Sequence, residues 1–175
     1  MAVVAALLMG PVSASVAVPR ADAGQRLAGG DGGYTVKVED DAPRAATYTV
    51  HGPSLCLTRG SRVSVIGVRL VGVRGGARVT DFTVMDRHVS VGLVKKRIDR
   101  LRPLEDGTRQ VRRRCDADEG TADLFVEVTR PAGSAVAGGS AIGIAYRDGD
   151  RIRHVRKRIG VFVCADLEER RCREA

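Results

Sequence analysis

Apolar residues in this chain recur at every second position, in short runs broken by turn-forming residues. Leu124, Val126 and Val128 alternate with Phe125 and Glu127, and Ile142, Ile144 and Tyr146 alternate with Gly143 and Ala145. A period of two belongs to a strand with one face buried, whereas a helix repeats at 3.6. The residue types agree. There are 25 Val and 6 Ile against 11 Leu, and side chains branched at Cβ suit a pleated surface better than a helix.

The same pattern marks strands over Tyr34–Val38, Ala46–Val50, Ser54–Thr58, Arg62–Val73, Ala77–Met85, Val89–Leu93, Ala122–Thr129 and Ile142–Tyr146. In Arg62–Val73 the phase slips near Val65-Ile66-Gly67, as a bulge requires. Thr80, Phe82 and Val84 share one face of the following strand. Gly75-Gly76 and Asp148-Gly149 read as hairpin turns. The return strand after Asp148-Gly149 runs from Arg151 to Cys164, with Val155, Ile159, Val161 and Val163 facing one way. Between Lys95 and Cys115 the pattern fails. Val94, Ile98 and Leu101 have helical spacing and predict one short helix ending before Pro103, in a long surface loop. Pro131–Ser140 reads as a small-residue loop, and Ala165–Arg171 as one helical turn.

Eight or nine short strands with no long helix predict an all-β chain, an antiparallel β-sandwich. An immunoglobulin-like arrangement is included as architecture only, because the Cys–Trp–Cys signature of antibody domains is missing. At 175 residues one domain can bury about 68–70% of its unfolded surface. The expected division is a signal peptide over 1–23, a flexible Gly-rich lead-in over 24–33, the β-sandwich over 34–164 and a C-terminal tail over 165–175.

The leader is expected from an uncharged stretch, Met1 to Val18, followed by small residues. Ala21-Asp22-Ala23 has the small-x-small form of a cleavage site, with Val12-Ser13-Ala14 and Ser15-Val16-Ala17 as alternatives. The four cysteines, Cys56, Cys115, Cys164 and Cys172, agree with export. They form no C-x-x-C pair, and the three histidines, His51, His88 and His154, lie far apart, so a zinc site with two close ligand pairs is not expected. An even number in a small exported chain reads as two disulfides, with three connectivities open. A secreted or cell-envelope location is therefore expected.

Charge is the other strong feature. The net charge is +8, with 25 Arg and 4 Lys in the basic set. Arg, Ala, Gly and Val all have GC-rich codons, so compositional bias contributes to the Arg content. The charge is nevertheless clustered. Residues 95–114 carry a net +6 through Lys95, Lys96, Arg97, Arg100, Arg102, Arg109, Arg112, Arg113 and Arg114. Residues 147–158 carry a net +4, with Arg153, Arg156 and Arg158 as the main candidates. Guanidinium groups grip phosphate and carboxylate bidentately. An anionic polymer or membrane surface is thus a candidate partner. The bland counterparts are a solvated loop and an edge strand protected by cations.

Other chemistry is weaker. Asp116-Ala-Asp118-Glu119-Gly120 has part of the spacing of a calcium loop, but Gly120 stands where a ligand belongs. There is no G-x-S-x-G elbow and no H-E-x-x-H helix. His51 and His88 sit beside turn residues and read as surface histidines. No pattern calls for a metal or a cofactor, and the expected role is non-enzymatic. Aromatic residues are 3% with no Trp, which argues against base-stacking nucleic-acid binders. The leading expectation is an exported binding or accessory module that engages an anionic partner. The alternatives are a protein-interaction domain acting through a sheet edge, and a cytosolic nucleic-acid binder if the N-terminal segment is a core strand.

Intact mass of the protein from its native host, fraction by fraction, checks the compartment. Loss of the first 14 to 23 residues and a deficit of about 4 Da, two protons per bridge, are expected. A full-length chain with four free thiols would contradict it.

Overall fold

The computed structural model describes residues 27–29, 33–41, 43–116 and 120–175. The expected leader, 1–23, lies outside them. In chain order the strands are β1 (Leu27–Ala28), β2 (Tyr34–Glu39), β3 (Ala46–Leu57), β4 (Val63–Val71), β5 (Arg78–Met85), β6 (Gln110–Val111), β7 (Ala122–Arg130), β8 (Val136–Gly139), β9 (Ala141–Asp148), β10 (Arg151–Lys157) and β11 (Ile159–Cys164). Two 3-10 turns, Ile98–Arg100 and Arg102–Leu104, and a short α1 (Arg170–Arg173) complete the described chain.

The strands form three sheets, ordered β1-β3-β7-β5, β10-β9-β4-β6 and β2-β11-β8. All pairings are antiparallel except that of β11 with β2. The chain is an all-β sandwich. Its core joins inward residues of every layer: Tyr48, Val50 and Leu55 of β3, Val63 and Val65 of β4, Leu124 and Val126 of β7, Ile142 and Ile144 of β9, and Val161 and Val163 of β11. Burying each such side chain contributes roughly 1.5–3 kcal/mol. Alternation thus produces the fold directly, since the residues it places inward are the ones that meet.

Several elements differ from the sequence reading. Ala46–Val50 and Ser54–Thr58 are one strand, β3, whose register slips between His51 and Ser54. The Gly52-Pro53 pair forms a bulge there instead of a turn, because Pro has no N–H to give a ladder. Gly75-Gly76 closes no hairpin, since β4 and β5 belong to different sheets. Gly72, Gly75 and Gly76 all have positive φ, and they carry the chain from one layer to the other. Arg74 between them exchanges backbone hydrogen bonds with Gly138.

The Arg151–Cys164 strand breaks at Arg158 and changes sheets, becoming β10 and β11. Asp148-Gly149 does form the expected hairpin, with Arg151 opposite Asp148. The expected bulge in β4 appears as a register shift between Val65 and Gly67. A second bulge, between Val79 and Asp81, takes Thr80 off the buried face that Phe82 and Val84 keep. Within the expected loop Pro131–Ser140 lies β8, which the single branched residue of Val-Ala-Gly-Gly could not signal.

Val89–Leu93 alternates but forms no strand. It belongs to an irregular segment, residues 86–107, that covers the outer face of the first sheet. Met85, Val89, Ile98, Leu104 and Phe125 make a second small core beneath it. The predicted helix is instead the two 3-10 turns. Pro103 stands near the start of the second, where its missing N–H is harmless.

Both ends of the described residues are tied down. Leu27 and Ala28, expected to be flexible, pair with Leu57 and Cys56. The tail is held by the Cys164–Cys172 disulfide and by Lys37, whose Nζ donates to the carbonyls of Cys172 at 2.7 Å and Arg173 at 3.0 Å. The other disulfide, Cys56–Cys115, joins β3 to the end of the basic loop. The four cysteines are thus all oxidised, in one of the three open connectivities.

The two bridges should differ in weight. Cys56–Cys115 closes a loop of 59 residues and Cys164–Cys172 one of 8. Loop-closure entropy then gives about 4 kcal/mol for the first and about 2.5 kcal/mol for the second. Urea unfolding of the Cys56→Ser/Cys115→Ser and Cys164→Ser/Cys172→Ser variants should show that order. Equal losses would mean that the unfolded-chain effect is not what separates them.

Candidate functional site

The two basic segments lie apart in the fold: β6, within the first, and β10, within the second, are the two edges of the second sheet. Residues 95–104 sit over the first sheet, and β10 lies at the edge of the second. Their cations are also used differently.

In the loop, most charges have partners within the chain. Lys95 Nζ is 2.9 Å from Asp40 Oδ2, a buried carboxylate that also accepts the Tyr48 hydroxyl. Arg97 lies between Asp99 at 3.4 Å and Glu127 at 3.9 Å. Arg109 pairs with Asp81 at 2.6 Å and stacks over the Phe82 ring. Arg112 donates to the Gln110 side chain, and Arg113 to the backbone carbonyl of Asp86. Arg114 forks onto Asp116 at 2.9 and 2.6 Å, and that hydrogen bond holds the Asp116 carboxyl below the usual carboxylate range. Among the described residues Lys96, Arg100 and Arg102 have no ion pair or side-chain hydrogen bond. The calcium-like segment is thereby divided. Asp116 serves Arg114, Asp123 is buried elsewhere, and 117–119 lie outside the described residues.

The loop is anchored to the sheet by Glu127. This carboxylate is 4% exposed. It accepts the Thr80 hydroxyl at 2.7 Å and the Ile98 amide at 2.9 Å. A buried charge of this kind needs such donors.

The second sheet is arranged differently. Cross-strand register places Arg69 of β4, Gly143 of β9 and Arg156 of β10 in one row, and Gly67, Ala145 and His154 in the next. By the same alternation Arg147 shares this outward face. Arg69, Arg147, His154 and Arg156 are exposed, and the outward positions of these three strands hold no Asp or Glu. Among the described residues the side chains of Arg69, Arg147 and Arg156 have no ion pair or hydrogen bond. Between the Arg69 and Arg156 rows runs a groove of about 540 Å³, floored by Gly67, Gly143 and Ala145. Like-charged side chains flanking a low-dielectric trough concentrate the field there.

The other sequence candidates of the basic hairpin lie off this face. Arg153 lies on the opposite face and is 3.1 Å from Asp148. Lys157 is buried and donates to the Gly29 carbonyl at 3.0 Å. Arg158 stands at the corner between β10 and β11, where its carbonyl accepts the Tyr34 amide. Arg156 alone of the sequence candidates here thus belongs to the open basic face. Arg69 and Arg147 were missed. Arg147 had a signal, the outward alternation it shares with Gly143 and Ala145, whereas Arg69 lies on another strand and only cross-strand register brings it there.

A second cluster forms around Asp123, which is 1% exposed. Ser54 Oγ donates to it at 2.9 Å, His88 Nδ1 lies at 3.1 Å and His51 Nε2 at 3.4 Å. His51 is partly covered and stacks on Phe125 at 4.9 Å between centroids. The nearby Tyr34 phenol is pushed up from its ordinary value by burial and then by the Asp123 charge. Ser54 donates to the carboxylate and not to an imidazole, so a nucleophile–base relay is not assembled. His88 is a surface histidine as expected, and His51 is not. His51 and Ser54 are three residues apart, but His88 and Asp123 lie far from them in sequence, and no local pattern could have joined the four. Among the described residues no group of three His, Cys, Asp or Glu is placed to hold a metal ion, and no helix is long and apolar enough to cross a membrane.

Compared with protein-family models and with curated proteins, the chain matches none.

Removing the Glu127 anchor should loosen the loop. Glu127→Ala leaves the Ile98 amide and the Thr80 hydroxyl without their acceptor and is expected to cost about 2 kcal/mol in urea unfolding. The Ile98 amide should also exchange faster in deuterated water. Lys96→Ala should change neither. An unchanged Ile98 exchange rate in Glu127→Ala would refute the anchoring role.

Proposed function

We propose that this protein is an exported, disulfide-stapled binding module, without enzymatic activity, that engages an anionic partner through the outer face of β4, β9 and β10. One observation carries the reading: Arg69, Arg147 and Arg156 stand on a face without carboxylates, while most loop cations are matched internally. Exposed ion pairs within a chain leave little field for a partner. Unmatched arginines leave more, and they supply forked donors for carboxylate or phosphate. Two disulfides are compatible with an extracytoplasmic setting, and the uncharged N-terminal stretch supports export.

A second reading is supported by the position of β10 at the end of its sheet and by Ile152, which is 57% exposed on it. A partner strand could pair with that edge. Its affinity would be insensitive to salt.

Heparin, as a model polyanion, tests the first reading. Binding should weaken steeply with added salt. The Arg69→Gln/Arg147→Gln/Arg156→Gln variant should bind about tenfold more weakly at low salt, as three contacts of a few tenths to 1 kcal/mol each imply. The Lys96→Gln/Arg100→Gln/Arg102→Gln variant should stay within about twofold of the parent. If the loop variant lost binding and the sheet variant kept it, the assignment to this face would be wrong.

A further inference from the structure

The groove on this face has a more specific chemistry than a positive patch. This inference rests on the anionic-partner reading and names the ligand class. We propose that the groove over Gly143 holds a single amphiphilic anion, with an alkyl chain along the floor and a carboxylate or phosphate head between Arg69 and Arg156.

The floor argues for the apolar body. β9 is hydrogen-bonded on both sides, to β4 and to β10, so its backbone donors and acceptors are already used. Gly67, Gly143 and Ala145 offer only carbon and hydrogen, and Val71 adds an apolar wall. The volume of about 540 Å³ is ample for a small ligand, since such sites run from about 300 to 1,000 Å³. From the Arg69 row, where the head would sit, to the Gly67–Ala145 row the strand rises roughly 7 Å, the length of about the first six carbons of an alkyl chain.

The walls argue for the head group. Their polar side chains are Arg69, Arg156 and His154. A guanidinium has donors and no acceptor. With no carboxylate on this face, a ligand that must donate several hydrogen bonds, such as a neutral sugar, finds few acceptors, and a cation is repelled. An acceptor-only head matches. Strands lie about 4.8 Å apart, so the Cα atoms of Arg69 and Arg156 are separated by roughly two such spacings, and their forks can close on one head from both sides.

Glycine at 143 lets Arg69 settle against the floor. A Cβ there would lie 3.3 Å from Arg69 Cγ and 3.3 Å from Val71 Cγ2. The Arg69 stem therefore leans over the floor at this row, and a larger residue would displace it and crowd the space beside Ala145 that the alkyl chain needs.

Calorimetric titration of the disulfide-bonded protein tests this, with decanoate, decyl phosphate, decanol and inorganic phosphate, all below micellar concentration. Decanoate or decyl phosphate should bind one to one, and whichever is tighter identifies a carboxylate or a phosphate head. Decanol and inorganic phosphate should each bind at least tenfold more weakly, because each lacks one half of the ligand. Gly143→Leu should weaken the preferred amphiphile at least tenfold. Ala145→Leu fills the same floor from an outward position and serves if Gly143→Leu fails to fold, as judged by thermal melting. The proposal is overturned if neither anion binds, if decanol binds as well as they do, or if a folded floor variant keeps full affinity. Heparin is titrated alongside. Heparin binding without amphiphile binding rejects this ligand and leaves the broader anionic reading standing, whereas loss of both rejects the two together.

Discussion

Burial of β7 on both faces is the constraint on which the rest depends. Leu124, Val126 and Val128 point into the main core, and Phe125 and Glu127 lie beneath the 86–107 segment. A strand buried on both faces must have a covering layer on each. The covering segment is rich in charge, and a carboxylate below it, Glu127, fixes its position. The first sheet is therefore closed to partners over much of its outer face. Among the described residues the second sheet has no such cover over β4, β9 and β10.

Charge follows from that division. A cation in a covering segment lies near the carboxylates that anchor it, as Lys95 lies near Asp40 and Arg97 near Glu127. A cation on an open sheet face has as neighbours only the residues two positions along and one strand across. On this face those neighbours are Gly67, Val71, Gly143, Ala145 and His154, with Ser64 and Ile152 beside Arg147, and none is a carboxylate. Density of basic residues along the sequence thus marks the loop, while lack of local partners marks the sheet. Disulfides reinforce the arrangement, because Cys56–Cys115 pins the far end of the covering segment to β3.

The fold was largely legible in the sequence because a two-residue period is both the local signal and the packing rule. The bulge at Val65–Gly67 could be seen for the same reason: a phase slip in the pattern is a phase slip in the ladder. What was not legible depended on which strands pair. Gly75-Gly76 has the composition of a hairpin turn and instead joins two layers, and β8 lacks the branched residues that mark a strand. Val89–Leu93 alternates, yet its apolar residues cover Phe125 and pair with no neighbour. The open basic face was only half visible. Arg147 and Arg156 lie in a basic run, but Arg69 gained meaning only when register set it and Arg156 on either side of Gly143.

The most direct measurement is an NMR titration of the labelled protein with a short heparin oligosaccharide at low salt. The central claim is that the open face of the second sheet, not the basic loop, meets the anionic partner. It predicts that the largest amide shifts fall on Arg69, Gly143, Ala145 and Arg156, with Lys96, Arg100 and Arg102 little moved. Shifts concentrated on Lys96–Arg102, with the β4–β9–β10 face silent, would contradict it.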